Sequence, residues 1–128
     1  MSDIFDKFNM KGQVALVTGG AGLLGKQFCQ TLAQANAAVV VADMDAQVAG
    51  KVAAELRDSG YNALGVGVNV TDPASVQAMV AQTLETFGRL DVLVCSAAMD
   101  PKFDSSQAGQ HASNFETYPL DAWRQALD

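Results

Sequence analysis

The sequence predicts an α/β domain with a doubly wound parallel sheet. Three features carry that expectation: apolar runs of strand length alternate with helical stretches, the connections between them are short, and the first run enters a glycine-rich turn that opens an amphipathic helix. Right-handed crossovers that bury each helix against a face give the strand order 3-2-1-4.

The first strand spans Gln13 to Thr18. Val14, Ala15, Leu16 and Val17 are continuously apolar, as in a parallel strand covered on both faces. The turn Thr18-Gly-Gly-Ala-Gly-Leu-Leu-Gly25 follows. Gly19, Gly20, Gly22 and Gly25 supply backbone free of Cβ, which a tight turn needs where its dihedrals are unusual and where a phosphate must come close. The next helix points its unpaired N-terminal amides, with roughly half a positive charge, over this turn, so an anion there is stabilised. Its predicted buried line is Leu24, Phe28, Leu32 and Ala35, with Gln27, Gln30 and Gln34 off it.

A second strand, Ala38 to Ala42, ends in Asp43. A dinucleotide site places the acid that holds the adenosine ribose hydroxyls at about this offset, roughly 20 residues beyond the glycines. The alternative for Asp43 is a strand-end carboxylate capping the next helix, as an ordinary strand-to-helix turn is the alternative for the glycines. Asp43 also bears on cofactor choice. NADP carries an extra phosphate of about −2 charge at that ribose. At ~4 Å and an effective dielectric near 20, the repulsion is several kcal/mol before screening. Residues 43–50 contain no Arg or Lys to offset it, so NAD is expected. Lys26 lies inside the first helix and is read as solvated or packed along its stem.

The remaining elements repeat the unit. Asp45 caps a helix whose face is Ala49, Val52, Ala53 and Leu56, and Ser59-Gly60 stops it. Asn62 to Val68 is the third strand. Asp72 caps the third helix, with Pro73 in its first turn, a stripe of Val76, Met79, Val80, Thr83, Leu84 and Phe87, and Gly88 at its end. Leu90 to Cys95 is the fourth strand. Met99 to Thr117 then forms a connection longer than the ~12 to 15 residues beyond which a loop is usually functional or disordered. It is expected to be a substrate-side lip, with His111, the single histidine, a polar loop residue without assigned chemistry.

The 128 residues are 49% hydrophobic, enough for one compact domain with a core. A net charge of −6 and eight scattered Lys and Arg argue against nucleic-acid and anionic-membrane partners. No apolar run approaches the ~20 residues of a membrane span, and the N-terminus lacks a signal-peptide pattern, so a cytoplasmic location is expected. Cys29 and Cys95 fall in elements predicted to be buried, without metal-ligand spacing, and are expected to be packed free thiols.

Taken as a set, Val17-Thr-Gly-Gly-Ala-Gly-Leu-Leu-Gly25, Asp43, Asn69-Val70-Thr71-Asp72 and Gly88-Arg-Leu-Asp-Val-Leu-Val94 resemble the short-chain dehydrogenase/reductase family over residues 11–128. The resemblance implies a Rossmann-like fold. It also implies a cofactor-binding set of Thr18, Gly19, Gly22, Leu23, Leu24, Gly25, Asp43, Asn69, Val70, Ser96 and Ala97. In the family the position of Asn69 is usually Asp, whose side chain contacts adenine, and Val70 contributes a backbone contact. The turn after strand four is usually Asn-Asn-Ala-Gly. Here it is Cys95-Ser-Ala-Ala98, and Ala98 in place of glycine restricts the backbone. The spacing of Thr18 to Gly25 is nearer that of the extended, sugar-nucleotide-modifying branch, whereas Gly88 to Val94 and the segment Tyr118 to Asp128 resemble the compact branch.

Members of this family transfer hydride with a Tyr acid/base, a Lys that lowers its pKa and a Ser that orients the carbonyl. Tyr61 precedes Asn-Ala-Leu-Gly and Tyr118 precedes Pro-Leu-Asp-Ala, so neither opens Tyr-x-x-x-Lys. Trp123, Ala126 and Leu127 leave an unfinished apolar face without a C-terminal cap. Residues 1–128 are therefore read as a partial NAD(P)-binding domain, about half of a family member, truncated after the fourth strand and the start of the following helix. No catalytic or metal residue is assigned. The chain alone is expected to be inactive, and the full-length protein to act on an alcohol, sugar or ketone as a homo-oligomer. Two alternatives are a non-catalytic nucleotide-binding or interaction module and a methyltransferase-like site for another adenosine ligand.

Overall fold

A computed structural model describes residues 3–98 and 120–128. Two compact units divide the chain at Ala97 and Ala98. The first holds a short 3-10 turn, Ile4–Phe8, followed by β1 (Val14–Thr18), α1 (Leu23–Gln34), β2 (Ala38–Asp43), α2 (Ala46–Asp58), β3 (Ala63–Gly67), α3 (Pro73–Phe87) and β4 (Val92–Cys95). In the second, α4 (Leu120–Leu127) carries the Trp123 segment. The expected 99–117 lip and His111 lie outside the described residues.

The four strands are parallel and ordered β3-β2-β1-β4, as the alternation of apolar runs requires. Side chains of successive strand residues point to opposite faces. Ala15, Val17, Val39 and Val41 therefore join one buried cluster with residues of α1 and α2. Val14, Leu16, Val40 and Ala42 join another with Met79 of α3. β1 is buried along its whole length because it has a strand on each side and side-chain layers on each face.

Local signals place the helix ends as read. Asp45 Oδ1 accepts from the amides of Gln47 and Val48 at 3.0 and 3.2 Å, and Asp72 Oδ1 accepts from Ala74 at 3.1 Å. Gly88 ends α3 with φ 76°, a left-handed dihedral that costs glycine little. On α2, Ala49, Val52, Ala53 and Leu56 form the buried face. That helix sits against the backbone of β3. A Cβ on Gly65 would meet the Ala49 carbonyl oxygen at 2.7 Å, so only glycine allows this approach.

Three expectations are corrected. The buried line of α1 is Gly25, Cys29 and Ala33, one position round from the expected stripe; Leu24 and Phe28 are 65% and 40% exposed. Small residues let the helix come close to the sheet, and that closeness outweighs the size of the neighbouring apolar side chains. Cys95 is exposed, whereas Cys29 is buried and its thiol is pushed up to about 11, chiefly by desolvation. The two differ because, among the described residues, β4 has a strand on one side alone and α3 packs on β2 and β3, leaving Leu93 58% exposed on the same face as Cys95. In α3 only Met79 and Thr83 of the expected stripe are fully buried, and Leu84 is exposed.

Asp91 joins β4 to β1 at their N-terminal ends. Its backbone amide donates to the Val14 carbonyl at 2.9 Å, and its Oδ2 accepts the Val14 amide at 2.8 Å. Arg89 Nε and Nη2 clamp the same carboxylate at 2.7 to 3.1 Å. The Arg89 hydrogen bonds, then the Val14 amide, hold the Asp91 carboxyl below its ordinary value. A carboxyl depressed in the folded state contributes stability above its unfolded pKa of about 3.9, lost as pH falls through the folded value. Asp91→Asn is expected to lower the urea midpoint at pH 7 and to reduce the loss of stability below about pH 4. Parallel urea melts of native and variant protein across pH 2 to 7 check this.

A candidate dinucleotide-binding crevice

At the C-terminal ends of the strands, backbone meets backbone. Gly19 has φ 64°, and a Cβ there would meet the Ser96 carbonyl oxygen at 2.7 Å and Ala97 Cα at 2.9 Å. Thr18 ties the same two turns together. Its Oγ1 accepts the amides of Ser96 and Ala97 at 3.2 and 3.3 Å and donates to the Val94 carbonyl at 3.4 Å. One hydroxyl has one donor and two acceptor positions, so all of them are used. Thr18, Gly19, Ser96 and Ala97 thus form a single joint between the β1 and β4 turns. This is the point where the sheet's winding reverses, and α/β sheets bind ligands in the crevice outside the strand ends there.

Gly25 closes the other side of the turn. A Cβ at this position would collide with the Gly19 carbonyl oxygen, and one on Gly20 would meet Val41 Cγ1 at 2.9 Å. Gly20 was expected in the turn but not in the cofactor-contact set that the resemblance implies. Its signal was present in the glycine run, but its contact with Val41 depends on packing between strands. Gly22 caps α1 without a side-chain hydrogen bond, and the first turn holds no acidic residue. The amides of Leu23, Leu24 and Gly25 have no intrahelical acceptor, so the helix start presents donors without a competing carboxylate. The side chains of Leu23 and Leu24 are exposed.

Asp43 stands half-buried at the end of β2. Its Oδ2 accepts the Ala21 amide at 3.2 Å and its Oδ1 accepts the Asp45 amide at 3.3 Å. The cap of α2 is Asp45, so Asp43 instead links the glycine turn to the end of the second strand. A carboxylate has about four lone-pair positions, and two remain for a hydroxyl pair. Lys26 is not aimed at this end: Nζ pairs with Glu55 on α2 at 2.6 Å, and the side chain stays exposed, consistent with a solvated position. Asn69 and Val70 are exposed just beyond β3, whose Gly67 is paired in register with Asp43. Among the described residues Asn36 is the non-glycine residue with a positive φ, and Ala98 has none.

A cleft of about 120 Å³ between α1 and α2, lined by Lys26, Val52, Glu55 and Leu56, is below the ~300 Å³ at which ligand pockets usually begin. Among the described residues, no group of three or more His, Cys, Asp or Glu is placed to hold a metal ion, and no helix is long and apolar enough to cross a membrane.

Gly25→Ala is expected to destabilise the protein by about 1 to 3 kcal/mol through overpacking, and to weaken anion binding at the turn. Gly50→Ala is the control. A Cβ there meets nothing within 4 Å, and the helix should gain about 0.5 to 1 kcal/mol. Urea melts of both variants give the comparison.

Residues 13–128 match the short chain dehydrogenase family model. The chain is 33% identical over 118 residues to the uncharacterized oxidoreductase YxjF of Bacillus subtilis, covering 92% of this chain and 42% of that protein. It is 45% identical over 91 residues to cis-4-hydroxycyclohexanecarboxylate dehydrogenase of Sinomonas cyclohexanicum, covering 70% and 36%. A crystal structure of a short-chain type dehydrogenase/reductase from Mycobacterium marinum matches with a TM-score of 0.83 and 27% identity, over 98% of this chain and 47% of that one. The chain spans less than half the length of each of these relatives.

Proposed function

The chain belongs to the short-chain dehydrogenase family, and on that footing we propose that it provides the NAD-binding floor of an oxidoreductase acting on an alcohol, sugar or ketone. One observation carries this reading: a turn kept free of side chains at Gly19, Gly22 and Gly25 faces an α1 start with no side-chain cap, and is hydrogen-bonded to Asp43 at the end of the adjacent strand.

The residues fit a dinucleotide. The α1 amides suit a pyrophosphate, and the free lone pairs of Asp43 suit the two ribose hydroxyls. The Thr18 joint holds the β4 turn, with Ser96 and Ala97, as the wall of the crevice beside the pyrophosphate position. When bound, the nicotinamide supplies the hydride donor or acceptor. Asp43 supports NAD over NADP by charge, and the Lys26–Glu55 pair supports it further, because it holds the nearest helix cation away from an added phosphate. The name of the Sinomonas relative supports a secondary alcohol as one substrate class. Deprotonation of an alcohol needs a positioned base worth typically 10² to 10⁴-fold. These 128 residues contain no Tyr-x-x-x-Lys, so that base is not assigned to this chain. The unpaired state of Cys29 and Cys95 supports a cytoplasmic setting.

Asp43→Ser is expected to weaken NADH binding and to relieve the penalty on NADPH. The ratio of the two affinities should move at least about tenfold, equivalent to 1.4 kcal/mol. Titration of the native and variant proteins with both reduced cofactors, followed by nicotinamide fluorescence, measures it. An unchanged ratio would contradict the assignment of Asp43, and binding of neither cofactor would contradict the whole reading.

A further inference from the structure

The peptide unit that joins Gly20 to Ala21 is held from both sides. Its carbonyl, that of Gly20, accepts the buried thiol of Cys29 on α1, with Sγ at 3.8 Å. Its amide, that of Ala21, donates to Asp43 Oδ2 at 3.2 Å. A trans peptide is planar, so its C=O and N–H point in opposite directions and turn together. Cys29, this peptide and Asp43 therefore form one chain of hydrogen bonds from the buried side of α1 to the end of β2. The preceding peptide seats the turn: the Gly20 amide donates to the Ala42 carbonyl at 3.0 Å.

Cys29 is fit to act as a donor in this place. It is fully buried, and desolvation pushes its thiol up to about 11, so the proton stays on sulfur at neutral pH. A Cβ on Gly20 would stand 3.3 Å from Sγ, so glycine leaves the approach open. Asp43, for its part, has one other hydrogen bond, from the Asp45 amide to Oδ1 at 3.3 Å, which ties it only to the chain two residues on. Among the described hydrogen bonds, that of the Ala21 amide alone fixes the carboxylate relative to the glycine turn.

We infer that Cys29 is a positioning residue for Asp43: by holding the Gly20 carbonyl it aims the Ala21 amide, and through that amide the carboxylate that receives the ribose hydroxyls. The role rests on the dinucleotide reading of the crevice. A carboxylate fixed in place accepts from a hydroxyl pair and repels an added phosphate, and one free to turn away does both less well. Removal of the thiol is thus expected to narrow cofactor discrimination, and to do so only while Asp43 is present.

A double-mutant cycle on the ratio of NADH to NADPH affinity, read by nicotinamide fluorescence, tests this. Cys29→Ala is expected to lower the ratio by about twofold to fivefold, the range of a weak hydrogen bond, in the native background and to leave it unchanged in Asp43→Ser. In the ligand-free protein the same change is expected to quicken hydrogen exchange at the Ala21 amide and not at Gly20, which Ala42 holds. A thiol that merely filled space would weaken both cofactors alike. An equal loss for both, an unchanged ratio, an equal shift in the Asp43→Ser background or unchanged Ala21 exchange overturns the inference. One measurement leaves Cys29 intact: the chain has two cysteines, so Cys95→Ser isolates its S–H infrared band. That band is expected below the frequency of an unbonded thiol, and a band at the unbonded frequency overturns the inference. Binding of neither cofactor by the native protein overturns the dinucleotide reading, while Ala21 exchange and the S–H band still decide whether Cys29 holds the peptide.

Discussion

The C-terminal edge of this sheet depends on close approach of backbone to backbone at Gly19 and Gly25. Each occupies a place where a Cβ would run into another main chain, Gly19 against the β4 turn and Gly25 against Gly19 itself. Removing those two side chains brings α1, the β1 turn and the β4 turn together. The same closeness explains why α1 buries a line of Gly25, Cys29 and Ala33 and leaves larger apolar residues outside it. It also explains why the hydroxyl of Thr18 can reach the amides of Ser96 and Ala97. A helix held farther from the strand ends would leave its N-terminal amides too distant to act on an anion above the turn.

Electrostatics complete what packing begins. The helix start is positive by its dipole and has neither a side-chain cap nor an acidic first turn to neutralise it. Asp43 is a fixed negative point one strand away, fastened to the turn by the Ala21 amide. Lys26, the helix cation nearest in sequence, is committed to Glu55. A ligand with a negative centre and a neutral hydroxyl pair matches this pattern, and one with a second phosphate at the hydroxyl pair does not. At the opposite end of the sheet, Asp91 and Arg89 secure β4 against β1, so the strand that carries Ser96 and Ala97 is anchored at both ends.

Much of this was legible in the residues. Continuous apolar runs identified the strands, Asp45, Asp72 and Gly88 marked helix ends, and the alternation fixed the strand order, because these signals are local or follow from the handedness of crossovers. The first, third and fourth strands came out one or two residues shorter at an end than read, whereas the second runs through Asp43, since where pairing ends depends on the neighbouring strand and is not a property of one segment. The stripe of α1 was misread because apolar size was taken as the guide to burial; the choice between Leu24 and Gly25 depends on how near the sheet lies. Cys95 is exposed because, among the described residues, nothing covers its face of β4, and an apolar strand looks the same in sequence whether or not it is covered. In the crevice, the glycines and Asp43 could be found by spacing, but the roles of Thr18, Gly20 and Ala21 required knowledge of which turns meet.

The central claim is that the Gly19 to Gly25 turn, the end of β2 and the β4 turn form one dinucleotide-binding surface. Titration of the isotopically labelled protein with NADH, followed through its backbone amide resonances, tests it most directly. Saturable shifts confined to the amides of Gly19 to Gly25, to Asp43 and its neighbours, to Asn69 and Val70, and to Ser96 and Ala97 are the predicted result. Shifts centred on the cleft between α1 and α2, or none at all from a folded protein, would contradict the account.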